Sequence, residues 1–215
     1  MARLLLLQND AIVGEHLRRA ILAMPGMQVS GLSATLRPAI RSIRSNPPDL
    51  VLVDLQLRRS DLEVFLDELC SQPRDSRPLL LVGALSLDDP ALMEVIAHGA
   101  DGYYLHGGSA KALQDAIVKV LAGESPMAPS IARQARLLFE APAWSGAGVG
   151  SDTRDALRLS EVQLRLLERI GEGYLVHEVA RELLTTEHEV GLSIRTLYRK
   201  LQLDRRAAAM AAQVS

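Results

Sequence analysis

The sequence has few of the features that mark secreted or membrane proteins. Its single cysteine, Cys70, cannot form an internal disulfide, which favours a reducing cytosol. No stretch reaches the ~20 consecutive apolar residues that a membrane-spanning helix needs. The four leucines after Arg3 are also too few for the ~7–15 apolar residues of a signal peptide. We therefore predict a cytoplasmic protein without a membrane span or a signal peptide.

Aromatic residues are equally scarce. Two Phe, one Trp and four Tyr in 215 residues leave the core to Leu, Val, Ile and Ala. The apolar share of 48% is still that of a folded protein, because disordered chains combine low hydrophobicity with high net charge. The length suits two small domains.

The net charge of −2 is small, but the charges are unevenly distributed. Residues 1–126 carry 12 Lys/Arg and 15 Asp/Glu, a net −3, whereas residues 127–215 carry 12 and 11, a net +1. Near the C-terminus five basic residues and one acidic residue, Asp204, make a local net +4. Such a basic patch favours contact with nucleic acid. Its basic members are Arg195, Arg199, Lys200, Arg205 and Arg206.

Five short apolar runs in residues 1–126 alternate with stretches of helical period. Continuous apolar strands separated by helices are typical of a parallel sheet covered on both faces. We therefore predict an α/β domain with a doubly wound, five-stranded parallel sheet. The predicted strands are Leu4–Leu7, Met27–Leu32, Leu50–Val53, Pro78–Val82 and Tyr103–Leu105.

Residues 127–156 connect this domain to a second one. They contain a short helix candidate, Ser130–Phe139, and a stretch rich in Gly, Ser and Ala from Ala141 to Ser151, which predicts a flexible linker. The helical period returns over residues 157–215 and predicts a small all-α domain.

Two sequence patterns mark helix starts in this second domain. Ser160 with Gln163, and Thr186 with Glu189, have the spacing of capping boxes. The second box begins a long amphipathic helix after a tight turn, which is the helix-turn-helix pattern. A separate Ala-rich helix is predicted after Asp204.

The helix-turn-helix pattern extends to particular residues. Leu159–Glu161, Val179–Leu183 and Leu197–Leu201 resemble the LuxR/FixJ-type DNA-binding domain without gaps from about Leu157 to Ala212. The resemblance implies that one face of the second helix enters the major groove of double-stranded DNA, with Arg195 the best candidate for reading a base. The residues expected to contact bases or phosphates are Gly191, Leu192, Arg195, Thr196, Arg199, Lys200 and Arg205.

The sequence departs from that family at several positions. Gly191 stands where a lysine is frequent, and Glu187 and Glu189 add negative charge unless Glu189 serves only as a cap. Leu184 replaces the usual turn glycine, so we expect strain from a positive φ there. These departures predict weak or selective DNA binding.

The first domain also resembles a known family. Pro48–Asp54 and Gly99–Tyr103 are similar to the response-regulator receiver domain, over residues 3 to about 124. The resemblance implies an aspartate that accepts a phosphoryl group, an acidic pair that holds Mg²⁺, a hydroxyl, a lysine and a switch aromatic.

Only part of that set is present. Asp54 matches the phosphoacceptor and Tyr103 the switch aromatic, although a strand-end aspartate is often only a loop or cap residue. Neutral amides occupy the positions of the acidic pair, and the hydroxyl and the lysine are replaced. We therefore predict a degenerate receiver that has no cofactor and lacks the charge that draws in Mg²⁺. It would be switched by protein contact, by small-molecule binding or not at all. The altered positions are Gln8 and Asn9, with Asp10 one residue late, Gly83 and His106.

We predict a transcription regulator that binds DNA as a homodimer, is not an enzyme and does not depend on receiver phosphorylation. A sensor kinase or a partner regulator is its expected protein contact. The alternative is a protein-interaction module, in which the receiver-like domain binds a partner regulator and the C-terminal bundle serves mainly dimerisation.

Overall fold

A computed structural model describes residues 1–73, 76–141 and 157–214. The chain divides into two compact units, one of Met1–Val95 with Ala100–Ala122 and the other of Ile96–Gly99 with Gly123–Ser215. Within the described ranges, no helix is both long enough and apolar enough to cross a membrane.

The first unit contains a five-stranded, fully parallel sheet with the strand order β2-β1-β3-β4-β5. This confirms the predicted α/β fold, and every predicted strand is present within two residues of its expected ends. The strands are β1 (Ala2–Leu7), β2 (Met27–Ser33), β3 (Leu50–Asp54), β4 (Leu79–Ala84) and β5 (Gly102–Leu105). The helices are α1 (Ala11–Leu22), α2 (Leu36–Ser45), α3 (Arg59–Cys70), α4 (Pro90–His98) and α5 (Ala110–Leu121).

The core of this unit is aliphatic, as the shortage of aromatic residues predicts. All five residues of β3 are buried, because helices cover both faces of a parallel sheet. On one face, Leu17 and Ile21 of α1 and Ile117 of α5 pack with leucines of the central strands. Because the sheet is parallel, the carboxyl ends of its strands lie at one edge, where the helices that follow them begin.

The second unit is helical, as predicted. The predicted capping box of Ser160 and Gln163 is confirmed, since each donates a backbone N–H to the side chain of the other, at 3.1 and 3.2 Å. Gly173 ends that helix with a φ of 101°, a conformation that glycine adopts without strain. The helices are α6 (Pro129–Glu140), α7 (Glu161–Glu172), α8 (Val176–Glu182) and α9 (Glu187–Val214).

One helix prediction is wrong. The separate Ala-rich helix expected after Asp204 is part of α9, which runs without interruption for 28 residues. The four residues before the alanines, Leu203–Arg206, do not include a glycine or proline, and alanine has the highest helix propensity. The backbone therefore has no reason to leave the helix at Asp204.

The predicted boundaries of the domains stay predictions. The division between the two units falls after Ala122, a few residues before the predicted limit at 126. Helix α6 packs against α7, and Arg133 donates to the carbonyl of Gly171 at 2.6 Å. The predicted linker falls almost entirely on residues 142–156, outside the described residues.

Candidate functional site

The polar residues of the first unit converge at the carboxyl ends of the strands. The register places Asp54 of β3 beside Gly83 of β4, and Gly83 beside Tyr104 of β5. Gln8 follows β1 directly and His106 follows β5. We call Gln8, Asp54, Tyr104 and His106 the Asp54 cluster. A parallel sheet brings these side chains together because all its strands end at one edge.

Asp54 is only 4% exposed, and both of its carboxylate oxygens are engaged. Oδ1 accepts the backbone N–H of Gln56 at 2.8 Å and lies 3.2 Å from Nε2 of His106. Oδ2 accepts a short hydrogen bond from the side-chain amide of Gln8. The Gln8 amide oxygen in turn accepts the backbone N–H of Asp10 at 3.0 Å. The carboxylate therefore joins the ends of three strands.

These interactions set the pKa of Asp54. Burial by itself raises the pKa of a carboxyl, because it penalises the charged form. The interactions of Asp54 with His106, with the Gln56 amide and with Gln8 outweigh that penalty and hold its pKa below the usual value. The ionised form of Asp54 is thus stabilised by its hydrogen bonds and by His106.

Tyr104 occupies the space next to Gly83. A Cβ atom at Gly83 would lie 2.6 Å from the Tyr104 hydroxyl and 2.7 Å from Nε2 of His106, so a larger residue does not fit. The rings of Tyr104 and His106 meet edge to face, with centroids 5.1 Å apart. Burial and the charge of Asp54 raise the pKa of the Tyr104 hydroxyl, which therefore stays protonated. Sequence reasoning missed Tyr104, although its place two residues before His106 puts both on the same face of the strand.

The other receiver positions lie at or near this cluster in different environments. Asn9 is exposed, and Asp10 caps α1, where its Oδ1 accepts the N–H groups of Ile12 and Val13 at 2.8 and 3.1 Å. Tyr103 is buried on the opposite face of β5 from Tyr104. The roles assigned to these residues from the sequence stay predictions.

The helix-turn-helix of the second unit consists of α8 and α9. Leu184 in the turn has a φ of 53°, which confirms the positive φ expected there. Thr186 and Glu189 form the predicted capping box, in which Thr186 N–H donates to Glu189 at 2.9 Å and Glu189 N–H to Thr186 Oγ1 at 3.1 Å. The hydroxyl of Thr185, together with the backbone N–H and hydroxyl of Thr186, donates hydrogen bonds to the Glu189 carboxylate and holds its pKa down to about 2. Its negative charge therefore serves the start of α9.

The residues predicted to contact DNA differ in exposure. Gly191 and Arg195 are buried, and Arg195 is only 4% exposed. Lys200 donates to Gln163 Oε1 at 3.0 Å and to the carbonyl of Arg158, so it helps to hold the start of α7. The exposed members of the set are Leu192, Thr196, Arg199 and Arg205.

Comparison with known proteins finds relatives that span both units. No protein-family model matches the chain. It is similar to the transcriptional regulatory protein LiaR of Bacillus subtilis, with 27% identity over 97% of this chain and 95% of LiaR. A LuxR-family two-component response regulator from Aurantimonas has 27% identity and a TM-score of 0.52, covering 62% of this chain and 94% of that one.

The chain is therefore similar to the LuxR-type response regulators. The response regulator RcsB, solved in complex with DNA, shares the fold, with a TM-score of 0.54 and 17% identity over 96% of this chain and 98% of RcsB. The predicted resemblance to this family is thus confirmed along nearly the whole chain.

The Asp54 cluster does not fit Mg²⁺. Mg²⁺ requires near-octahedral coordination by oxygen atoms, mostly from carboxylates and water. The Asp54 oxygens already accept hydrogen bonds, Gln8 points an amide N–H at them, and Asp10 caps α1. Within the described parts of the chain, no group of three or more His, Cys, Asp or Glu residues is placed to hold a metal ion.

The N-terminal half of α9 is covered by residues 123–126 of its own unit. Glu124 contacts His188 Nδ1 at 2.7 Å, and the backbone N–H of Ser125 donates to the carbonyl of Gly191 at 3.2 Å. The hydroxyl of Tyr198 donates to the carbonyl of Pro126 at 2.6 Å. A Cβ atom at Gly191 would lie 2.8 Å from Cγ of Glu124, so this close contact depends on glycine.

Proposed function

We propose that this response regulator is a DNA-binding transcription regulator that acts without phosphorylation of its receiver unit. The observation that supports DNA binding is the helix-turn-helix of the second unit, in which a capped, amphipathic α9 follows a tight turn with positive φ. The observation that supports independence from phosphorylation is that both oxygens of the Asp54 carboxylate contact other groups of the protein.

Support for DNA binding comes from the arginines along α9. Arg199 and Arg205 are exposed and lie six residues, or about 1.7 turns, apart on the helix, and each can neutralise a backbone phosphate. Arg195 lies one turn before Arg199 on the same side. RcsB, which shares the fold, has been solved on DNA. A single unit of this size buries little DNA surface, so we expect a homodimer on paired half-sites.

Contact of Gly191 with DNA requires Glu124 to leave α9. Gly191 and Arg195 are predicted to face the groove and are buried here, so the described conformation does not offer them to a base pair. We expect the DNA-bound state to break the Glu124–His188 and Ser125–Gly191 contacts.

Support for independence from phosphorylation comes from the chemistry of phosphoryl transfer. An attacking carboxylate needs an oxygen that the phosphoryl group can approach, and the transferred group needs cations that neutralise its charge. Asp54 has a buried carboxylate with both oxygens occupied, and Gly83 has no hydroxyl to contact a phosphoryl oxygen. The receiver unit would then be controlled by binding rather than by covalent modification.

The DNA-binding proposal is tested with duplexes selected by the full chain from a pool with a randomised central segment. We expect enrichment of a paired motif and affinity that falls steeply with salt. Arg195→Ala should cost about 1–3 kcal/mol of specific binding. Arg41→Ala, which removes the same charge from α2, should leave affinity unchanged. Failure to enrich any motif would defeat the proposal and favour the protein-interaction module.

The phosphorylation proposal is tested separately by intact mass. The full chain is incubated with Mg²⁺ and acetyl phosphate, and we expect its mass to stay that of the unmodified protein. A stoichiometric phosphoryl adduct that disappears in Asp54→Asn would contradict the proposal. The same incubation of a response regulator with a complete acidic pair serves as the positive control.

A further inference from the structure

A groove lies directly above the Asp54 cluster, within the first unit. It has a volume of about 490 Å³ and runs between α1 and the loop that leads from β5 into α5. This volume falls in the range of roughly 300–1,000 Å³ that is usual for small-molecule sites. The groove is therefore large enough for an organic molecule of two or three rings.

The walls and the floor of the groove differ in polarity. Val13 and Leu17 of α1 and Leu113 of α5 supply apolar walls. Asp54, Tyr104 and His106 line the inner end, where the Tyr104 hydroxyl and Nε2 of His106 are themselves buried. A molecule with an apolar body and one polar end matches this arrangement.

The buried hydroxyl of Tyr104 specifies the kind of polar end. Tyr104 is 6% exposed, and its hydroxyl has no hydrogen-bond partner among the described residues. An unsatisfied buried hydroxyl is costly, and the raised pKa keeps this one protonated as a donor. The groove therefore favours a ligand that brings a hydrogen-bond acceptor.

The charges around the groove decide between an anionic and a neutral acceptor. The carboxylates of Asp10 and Asp54 both line it, and its only described basic side chains are His16 and His106, of which His106 lies 3.2 Å from Asp54. A carboxylate or phosphate ligand would be repelled by these two charges. A metal cation is not favoured either, because the oxygens of Asp54 and Oδ1 of Asp10 accept hydrogen bonds from the protein. An uncharged acceptor is left.

We propose that this groove binds a small uncharged organic molecule, with its apolar body between α1 and α5 and a carbonyl oxygen that accepts a hydrogen bond from Tyr104. This inference rests on the proposed function, because a receiver unit controlled by binding needs a ligand. The ligand would supply the acceptor that the Tyr104 hydroxyl lacks, and its body would fill the groove.

The test uses 2-acetylnaphthalene, a neutral ketone, and 2-naphthoate, which carries a carboxylate on the same double ring. Each is titrated into the ¹⁵N-labelled full chain, and backbone amide shifts are followed by NMR without DNA or phosphodonor. We expect saturable shifts for 2-acetylnaphthalene at Val13, Gly107 and Ala110. Binding of 2-naphthoate should be about fivefold weaker because of the two carboxylates.

Two variants locate the contact. Tyr104→Phe keeps the ring and removes the hydroxyl, and should weaken binding of the ketone by about tenfold. The matched change Tyr103→Phe, on the other face of β5, should leave affinity unchanged. Ala110→Trp adds bulk at the exposed start of α5 and should also weaken binding. The amide spectrum of each variant reports whether it is folded.

Several results would overturn the inference. They are the absence of saturable shifts with 2-acetylnaphthalene, shifts outside the groove, equal affinity for 2-naphthoate, or unchanged affinity in Tyr104→Phe. The titration is independent of DNA binding and of the mass measurement. A phosphoryl adduct on Asp54 would therefore contradict the proposed function without changing the titration result, and the two failures are distinguishable.

Discussion

The polar side chains of the Asp54 cluster and those of helix α9 lie in different surroundings. In the cluster, Gln8, Gln56 and His106 surround one carboxylate, and Tyr104 fills the space beside Gly83. On α9, Arg199 and Arg205 remain exposed, whereas Gly191 is covered by Glu124. The first site resembles a packed core and the second a surface that is partly covered. Substitutions in the cluster should therefore act mainly on stability, and substitutions on α9 mainly on DNA binding.

The largest expected effect comes from adding a side chain at Gly83. Gly83→Thr places a Cβ within 2.8 Å of both Tyr104 and His106, so the buried cluster must shift. We expect a loss of about 3 kcal/mol in the free energy of unfolding, as for other overpacked cores. Urea unfolding of the full chain, followed by circular dichroism, measures this loss.

The control for Gly83→Thr is a double-mutant cycle. Tyr104→Leu removes the ring that the new side chain meets, so the double variant should recover part of the lost stability. Additive effects of the two changes would show that Gly83 and Tyr104 do not share space.

Removal of the Asp54 carboxylate should have the next largest effect. Asp54→Ala leaves the buried amide of Gln8 without its acceptor and should cost about 2 kcal/mol of unfolding free energy. The folded-state pKa of Asp54 is lowered, so its contribution is complete above the ordinary carboxyl pKa and is lost as the pH falls through the lowered value. The difference between wild type and variant should shrink correspondingly in unfolding curves at acidic pH. An Asp54→Ala chain as stable as wild type would contradict a structural role.

Gly191→Lys should have a smaller effect, and on DNA affinity. Lysine displaces Glu124, adds a cation to the face predicted to enter the groove, and is a better helix former than glycine. We expect about a tenfold gain in DNA affinity, measured by fluorescence anisotropy, with a salt dependence steeper by about one released ion. Gly171→Lys, which adds the same charge to α7, should give a clearly smaller gain. Equal gains from both changes would show that the added charge raises DNA affinity wherever it lies, and that its position on α9 does not matter.

The smallest expected effect is at the turn before α9. Leu184 is 95% exposed and has a positive φ, so Leu184→Gly should relieve strain and raise the unfolding free energy by about 0.5 kcal/mol. Leu175, also exposed but with a φ of −75°, is the matched position. Leu175→Gly should lower stability slightly in the same thermal unfolding measurement. A loss of stability at both positions would contradict the idea that the turn is strained.

Much of the fold could be predicted from the sequence because its signals are local. The strands are continuous apolar runs, such as Leu50–Val53, and the two capping boxes are defined by residues three positions apart. The positive φ at Leu184 followed from the missing turn glycine. The continuation of α9 past Asp204 is not predicted, because the apolar stripe of its first half ends at Leu201 and the alanines carry no periodic pattern.

The arrangement of the sites depends on contacts between distant parts of the chain. Tyr104 occupies a position that is apolar in the sheet pattern, so nothing local indicates that its hydroxyl lies over Gly83. The contact of Glu124 with Gly191 joins residues 67 positions apart and follows from packing of the second unit. The degenerate positions were visible in the sequence, whereas the hydrogen bond from Gln8 to Asp54 required the structure.

The central claim is that Asp54 is a structural carboxylate and does not switch DNA binding. The most direct test is the affinity of the full chain for its selected duplex, measured by fluorescence anisotropy with Mg²⁺ and with or without acetyl phosphate. We expect the same dissociation constant in both conditions, for wild type and for Asp54→Asn. An increase in affinity with acetyl phosphate that is present in wild type and absent in Asp54→Asn would contradict it.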